Sequence, residues 1–442
     1  MALDLEKLSS SLFEAVKREP FFVLSWDPSD PDSTTMVDFK LTFSIMGPLG
    51  YKLKLNLNKD NYVHIMRLVQ MILADSRVPL IGFDFKYFFS LNRKFFTAPP
   101  VLQNVYDICW YESYSGSTVE RESESEVIKF FKLLLKNKNV FSIYNKIFKP
   151  LITKVLPDIE SLHFINDDTG KIVYSNYVVE GQENGRLSCN CSKKNCFNPH
   201  SLGEDKKNLR LSSQYLNYIL QFDYKNMEVA VLAKMSGDTR LNELVDNFQD
   251  SVYSNIFEDI TGLQNFSDSK TLGKKIFLPL IYGQTHMGLA RSLDISADQA
   301  IIYFERARAI YSKAFSFVEK HQQQAASDGY VTDIFGRKRF FVSGESYKAR
   351  NFVIQSPSAL ICIEALVKLH TECKDLYKVA FHVHDGYFLA LNSEKLQDAF
   401  FTAKQILESK TNYMPELQLK VSAKVGRTFD KMVLLKKKEK AI

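Results

Sequence analysis

The chain has 442 residues, 45% hydrophobic and 24% charged, with 57 Lys+Arg against 51 Asp+Glu and a formal net charge of +6. This balance excludes fibrous and long-range disordered classes and leaves room for roughly two to four domains. No uninterrupted apolar run approaches the roughly 18 residues of a membrane span. The early acids Asp4, Glu6 and Glu14 do not fit a secretory or transit leader. Six cysteines in so long a chain make no disulfide framework and point to a reducing compartment. The expectation is a soluble, intracellular protein with no membrane partner, whose mild basic excess permits a polyanionic one.

In chain order, residues 20–60 carry short alternating runs (FFVLSWD, FKLTFSIM, YKLKLNL) that predict strands. Residues 62–76 have helical spacing, and 78–84 predict another strand. The polar stretch 117–127 predicts a linker, followed by helix over VIKFFKLLLKN and residues 140–156. From Gly185 the pattern changes. Residues 215–223 predict a strand ending on Asp223, residues 227–235 a helix, and residues 240–326 several helices. Residues 379–391 alternate around His384-Asp385-Gly386, which predicts a β-hairpin with its charged residues at the bend.

Asp223 and Asp385 stand out because each ends or interrupts an apolar strand. A carboxylate beside a buried strand is costly unless it is paired or holds a metal. Two brought together repel, and a hard divalent cation such as Mg²⁺ relieves the repulsion. Taken singly, each also fits a capping or turn aspartate. Lys270, Lys274, Leu278 and Tyr282 recur at intervals of four and make one face of a helix, which suits a ligand with a charged end and a flat end or a plain solvated face.

Seven segments then share a resemblance. DYKNMEVAVLAKMSGD (223–238), KTLGKKIFLPLIYG (270–283) and VHDG (383–386) resemble motifs A, B and C of the family A DNA polymerases. GRLSCNCSKKNCFNP, YFERARAIYSKAF, DGYVTDIFGRKR and NFVIQSPSALICIEALV are similar to further family segments, in order, from about residue 171 to 427. The resemblance implies an α+β multidomain chain: a right-hand polymerase with palm, fingers and a reduced thumb, preceded by a ribonuclease H-like α/β exonuclease-type domain. Its expected divisions are 1–125 for a degenerate exonuclease-like domain, 126–184 for linker and reduced thumb, and 185–442 for palm and fingers, with fingers at about 239–345. The implied activity is template-directed addition of deoxynucleotides to a primer by two-metal phosphoryl transfer, with two Mg²⁺ ions or Mn²⁺ as substitute. The implied partners are DNA primer–template, deoxynucleoside triphosphates and a processivity protein. The setting is cytoplasmic or nucleoid-associated, including a virus- or phage-infected cell.

The resemblance also assigns roles. Asp223 and Asp385 match the metal-binding carboxylates. Lys274 matches the lysine that faces the triphosphate, and Lys270 keeps a charge where the family has Arg. Tyr282 matches the tyrosine beside the templating position, and Glu228 the steric gate against a 2′-hydroxyl. Arg186, Asn351, Gln355 and His384 match residues at the primer terminus. Among the departures, Leu278 stands for an aromatic, Val252 for a phosphate-binding histidine and Gly386 for the glutamate of motif C. Pro279 is expected to kink or break its helix. In the front domain, Ser29 follows Asp27 where an acid belongs, Phe88 replaces an aspartate and Asp107 is a strand-end remnant, so no proofreading is expected. Cys189, Cys191, Cys196 and His200 are zinc-type ligands at a spacing that is not a standard finger, so zinc is set aside there. Cys109, Cys362 and Cys373 are read as core thiols. Two further classes stay open: a weak or inactive nucleic-acid-binding protein on a polymerase fold, and a phosphoester hydrolase using the same metals.

Overall fold

A computed structural model describes residues 5–19, 21–28, 40–58, 60–74, 78–82, 85, 105–108, 110, 136–166, 170–179, 181–189, 191, 196–201, 209–213, 215–248, 250–429 and 431–435. The linker over 117–127, Ser29, Phe88 and Cys109 lie outside them, as does the side chain of Asp27. The chain divides into two compact units. One comprises Met1–Phe164, Lys171–Val179 and Cys189–Asn198; the other comprises Ile165–Gly170, Glu180–Ser188 and Pro199–Ile442.

The first unit opens with helix α1 (Leu5–Arg18), which buries Leu8, Leu12 and Ala15 at helical spacing while Glu6 and Lys7 face solvent. Strands β1 (Phe22–Pro28), β2 (Lys40–Met46) and β3 (Lys52–Asn58) follow, then helix α2 (Tyr62–Ala74) and strands β4 (Leu80–Gly82) and β5 (Val105–Asp107). Their order is β3-β2-β1-β4-β5; β1, β2 and β3 run antiparallel, and β4 and β5 continue parallel to β1. Along β3 the leucines Leu55 and Leu57 are buried while Lys54 and Asn56 are exposed, the period of two that the sequence showed. Buried Glu19 accepts the backbone N–H groups of Leu49 and Tyr51 and so fixes the β2–β3 turn. Beyond β5, helix over Lys138–Ile143 passes through π-helical turns at Tyr144–Phe148 and Leu151–Val155 to Leu156–Glu160. The Tyr144 hydroxyl takes the Asp107 N–H at 2.7 Å and donates to the Val105 carbonyl at 3.2 Å, which ties that helix to the sheet.

The second unit is built on an antiparallel sheet. Strand β6 (Tyr218–Tyr224) leads into helix α3 (Met227–Ser236). Helices α4 (Thr239–Asn247), α5 (Val252–Thr261), α6 (Ser269–Ile281), α7 (His286–Leu293), α8 (Ala297–Ile310) and α9 (Ser312–Asp328) follow. A small hairpin, β7 (Tyr330–Thr332) and β8 (Lys338–Phe340), precedes the long helix α10 (Lys348–Glu372). The hairpin β9 (Lys378–Val383) and β10 (Gly386–Leu391), helix α11 (Leu396–Leu407), and strands β11 (Val421–Gly426) and β12 (Val433–Leu434) complete it. The sheet order is β9-β10-β6-β11-β12, so two strands far apart in sequence, β6 and β10, are neighbours at its centre. Phe222 stacks on Phe400 of α11 and Tyr224 donates to the Leu407 carbonyl at 2.8 Å. Gln221 and Asp223 therefore point to the opposite face. Among the described residues, α10 is long and apolar enough to cross a membrane, but 89% of its most apolar window is buried inside the protein, as in a core helix.

Among the described residues, two contacts between the helices follow directly from the residue types. Buried Asp238 caps two helices at once: one oxygen accepts Leu241 N–H of α4 at 3.0 Å, the other accepts Lys313 and Ala314 N–H of α9 at 3.2 Å each. Gly273 lets α6 press directly on α5, since a Cβ there would lie 1.9 Å from the Tyr253 carbonyl oxygen. Pro279 does not break α6, contrary to the sequence expectation; the helix runs on to Ile281. The missing N–H would have bonded the Lys275 carbonyl, and Lys275 is solvent-exposed, so water can serve that carbonyl. One turn later, Tyr282 N–H still bonds the Leu278 carbonyl.

Gly273→Ala is expected to lower stability by about 1–3 kcal/mol, because backbone rather than a flexible side chain blocks the new methyl. A thermal melt matching wild type would show that α5 and α6 are not held in this contact.

Candidate functional site

Strand register builds the site. Asp223 lies opposite Gly386 on β10 and opposite Ser422 on β11. Val383 pairs with Gly386, so His384 and Asp385 form the two-residue bend of the β9–β10 hairpin. His384 has φ +54°, the left-handed conformation such a bend requires and a non-glycine residue adopts only at a cost. Tyr224 N–H bonds the Asp385 carbonyl at 3.2 Å. The structure thus brings the two aspartates together, 162 positions apart in sequence. Burial raises the Asp223 carboxyl above its ordinary range, and the charge of Asp385 raises it further. Burial raises Asp385 too, with Glu228 adding to it and Arg186 opposing.

Gly386 shapes this pair. A Cβ there would lie 2.6 Å from Asp223 Oδ1, so the glutamate usual in motif C would displace the carboxylate. The other Asp223 oxygen accepts from Gln221, two residues earlier on the same face of β6.

The hairpin bend borders a cleft of about 820 Å³. Across it runs α6, and Lys270, Lys274, Leu278 and Tyr282, on the one face that their interval of four predicted, all line the cleft rather than a plain solvated surface. Lys270 and Lys274 are exposed, whereas Leu278 is buried. Ser358, Ala359 and Cys362 of α10 also line it, as do Arg186, Glu228, His384 and Asp385.

Glu228, in the first turn of α3, is the hub of the cleft. One oxygen accepts from Arg186 and from Gln355 Nε2, at 2.9 Å each; the other accepts the Tyr282 hydroxyl at 2.7 Å. Burial and the Glu228 charge push the Tyr282 phenol well up, so it stays a donor. Asn184 joins the network, donating to Gln355 and accepting the Arg186 N–H. Asn351 lies one turn before Gln355 on α10, and its buried Oδ1 has no hydrogen-bond partner among the described residues.

The His384 ring stands 4.9 Å from that of His200. Burial, then the neighbouring His384 and Arg186, lower His200 to about 4. Burial and Arg186 lower His384, and buried His382, beneath them, is lowered to about 3. The trio is neutral at pH 7, so its rings pack without charge repulsion.

Other expected residues fare differently. Val252 is buried at the start of α5 and does not line the cleft, whereas Tyr253 beside it does. Burial, with Glu228 and Asp385, pushes the Tyr253 phenol well up. Sequence reasoning passed over Tyr253 because VYSNIFEDI reads as an apolar helix face; the cue was its place beside Val252. Cys191 and Cys196 are disulfide-bonded to each other, which removes two thiolates from the zinc set. Cys362 and Cys373 are buried thiols. In the first unit, buried Asp107 ends β5 and accepts the Phe85 N–H at 2.7 Å.

The donor set fits a hard divalent cation. Among the described residues no group of three or more His, Cys, Asp or Glu could hold a metal ion. Mg²⁺, however, is commonly held by one or two carboxylates together with substrate phosphates and water. Two half-buried carboxylates set side by side by strand register, both resisting ionisation, suit that mode of binding.

A central antiparallel sheet with a helical cluster facing its carboxylates is the polymerase fold. The structure matches the POL domain of Pol1 from M. smegmatis, solved in complex with DNA primer-template and dNTP, with a TM-score of 0.76 over 97% of this chain and 99% of that one, at 15% identity. The profile of DNA polymerase family A matches residues 120–431, and the chain belongs to that family. DNA polymerase I of Lactococcus lactis subsp. cremoris (strain MG1363) is 26% identical over 305 residues, 64% of this chain and 33% of that protein. The thermostable DNA polymerase I of Thermus filiformis is 26% identical over 223 residues, 47% of this chain and 26% of that protein. The chain thus spans a third or less of the length of these relatives.

A carboxylate whose pKa is raised by folding holds its proton more tightly in the folded state. Metal-free stability should therefore fall as pH rises from the ordinary carboxylate range through the raised values. Asp385→Asn is expected to raise the metal-free melting temperature at pH 7.5 by ~2 °C or more. Mg²⁺ should raise that of wild type and leave the variant's unchanged. Equal Mg²⁺ responses would mean that the pair does not hold the ion.

Proposed function

We propose that the chain is a template-directed DNA polymerase that adds deoxynucleotides to a primer 3′-hydroxyl. The observation that carries this reading is the register that sets Asp223 beside Asp385, across a cleft from Lys270 and Lys274. Mg²⁺ at the carboxylate pair, or Mn²⁺ in its place, would acidify the attacking hydroxyl and neutralise charge developing on the phosphoryl oxygens. Lys274 and Lys270 bind the triphosphate as point charges along one helix face. Glu228, fixed by three donors, closes the space a 2′-hydroxyl would need. Arg186 and Gln355 share that carboxylate, so the sugar gate and the primer–template contacts form one network. Asn351 offers an unpaired amide oxygen beside it. His384, neutral and packed on His200, supports the primer end. Tyr282 closes the far end of the α6 face, next to the templating base.

In the same reading, residues 1–125 form the degenerate exonuclease-like domain, 126–184 linker and reduced thumb, and 185–442 palm and fingers, with fingers at about 239–345. The mixed β3-β2-β1-β4-β5 sheet suits the ribonuclease H-like part. Asp107, hydrogen-bonded to a backbone N–H, supports a domain without excision. A reduced thumb grips duplex weakly through phosphates, so processive synthesis would need salt below physiological levels or a partner protein.

Primer extension tests this reading. With Mg²⁺, wild type should extend with deoxynucleotides, discriminate against ribonucleotides, leave a mismatched end unexcised and dissociate early at moderate salt. Asp223→Ala and Asp385→Ala should each lose roughly 10³-fold or more, and Lys274→Ala roughly 10²-fold. DNA binding without extension would instead assign the inactive binding protein, which Leu278, Val252 and Gly386 favour. Nucleotide hydrolysis without a template would assign the hydrolase.

A further inference from the structure

Tyr253 is the second residue of α5, and its side chain lines the cleft. Its position is rigid: Gly273 of α6 packs against its carbonyl, and the residue is only 6% exposed. The phenol lies close enough to Glu228, Asp385 and Tyr282 to feel their charges. Two of those neighbours, Glu228 and Tyr282, are engaged with each other. Both Glu228 oxygens accept hydrogen bonds from Arg186, Gln355 and Tyr282. The Tyr253 hydroxyl, by contrast, makes no hydrogen bond among the described residues. Leu278 on the facing helix has no polar atom to offer, and Val252 is turned into the core.

A cleft of this kind, if it takes a deoxynucleoside triphosphate as proposed above, presents two sides to the sugar. Glu228 closes the 2′ side. The 3′-hydroxyl is then the one sugar hydroxyl left to be recognised, and the Tyr253 phenol, which lines the cleft and has no hydrogen bond among the described residues, is a group free to meet it. We propose that Tyr253 reads the 3′-hydroxyl of the incoming deoxynucleotide, its O–H donating to the 3′ oxygen. This inference rests on the polymerase reading, and it makes Tyr253 a specificity-determining residue that the family resemblance did not supply.

Removing one such hydrogen bond weakens binding of the substrate that has the hydroxyl and leaves the analogue that lacks it unaffected. The test is single-nucleotide incorporation with Mg²⁺ on a fixed primer–template, comparing a deoxynucleotide with its 2′,3′-dideoxy analogue. Wild type should prefer the deoxynucleotide. Tyr253→Phe keeps the ring that packs under α6 and should raise KM for the deoxynucleotide by about tenfold, with the effect in KM rather than kcat. Its KM for the dideoxynucleotide should match that of wild type, so the preference narrows by the same factor. Equal losses for both nucleotides, or an unchanged preference, would overturn the assignment while leaving the polymerase reading intact. A wild-type chain that incorporates neither nucleotide would overturn both.

Discussion

Two carboxylates at the centre of the second unit are held together against their own repulsion. Strand β6 delivers Asp223 and the β9–β10 bend delivers Asp385, and the pairing of Asp223 with Gly386 fixes one beside the other. Backbone register is stiff: a slip of one residue would turn every side chain on a strand to the other face. The chain meets further costs to keep this arrangement. His384 takes a left-handed bend, Gly386 gives up a side chain so that Asp223 has room, and both acids resist ionisation. Each is unfavourable for stability alone, and all become intelligible once a cation shares the pair.

The opposite wall follows from packing. Gly273 lets α6 seat against α5, and that seating turns the Lys270–Tyr282 face toward the carboxylates. Asp238 pins the starts of α4 and α9 with one side chain. Glu228 then links the two walls, because it belongs to α3 yet bonds Tyr282 at the end of α6 and Gln355 on α10. Loss of any of its partners would loosen the contact between the two walls.

Much of this was legible in the sequence because it rests on local periodicity. Alternation around His384-Asp385-Gly386 announced the hairpin, and the interval of four announced the α6 face. The family motifs supplied the reason to join them. What stayed hidden depends on contacts between distant segments: Gln221 steadying Asp223, the double cap at Asp238, and the three donors on Glu228. Tyr253 was invisible for a related reason, since an aromatic on an apolar helix face reads as core until its neighbours are known. Pro279 misled because its effect depends on solvent reaching the freed carbonyl, which local propensity does not encode. In the front domain, α1 went unread because its first residues were weighed as a leader rather than as a helix.

The central claim is that Asp223 and Asp385 share cations. Crystals grown with primer–template and a non-reactive nucleotide analogue, soaked in Mn²⁺, would show the ions directly by anomalous scattering. The account predicts a peak within about 2–2.5 Å of carboxylate oxygens from both aspartates. Peaks touching only one of them, or lying elsewhere in the cleft, would contradict it.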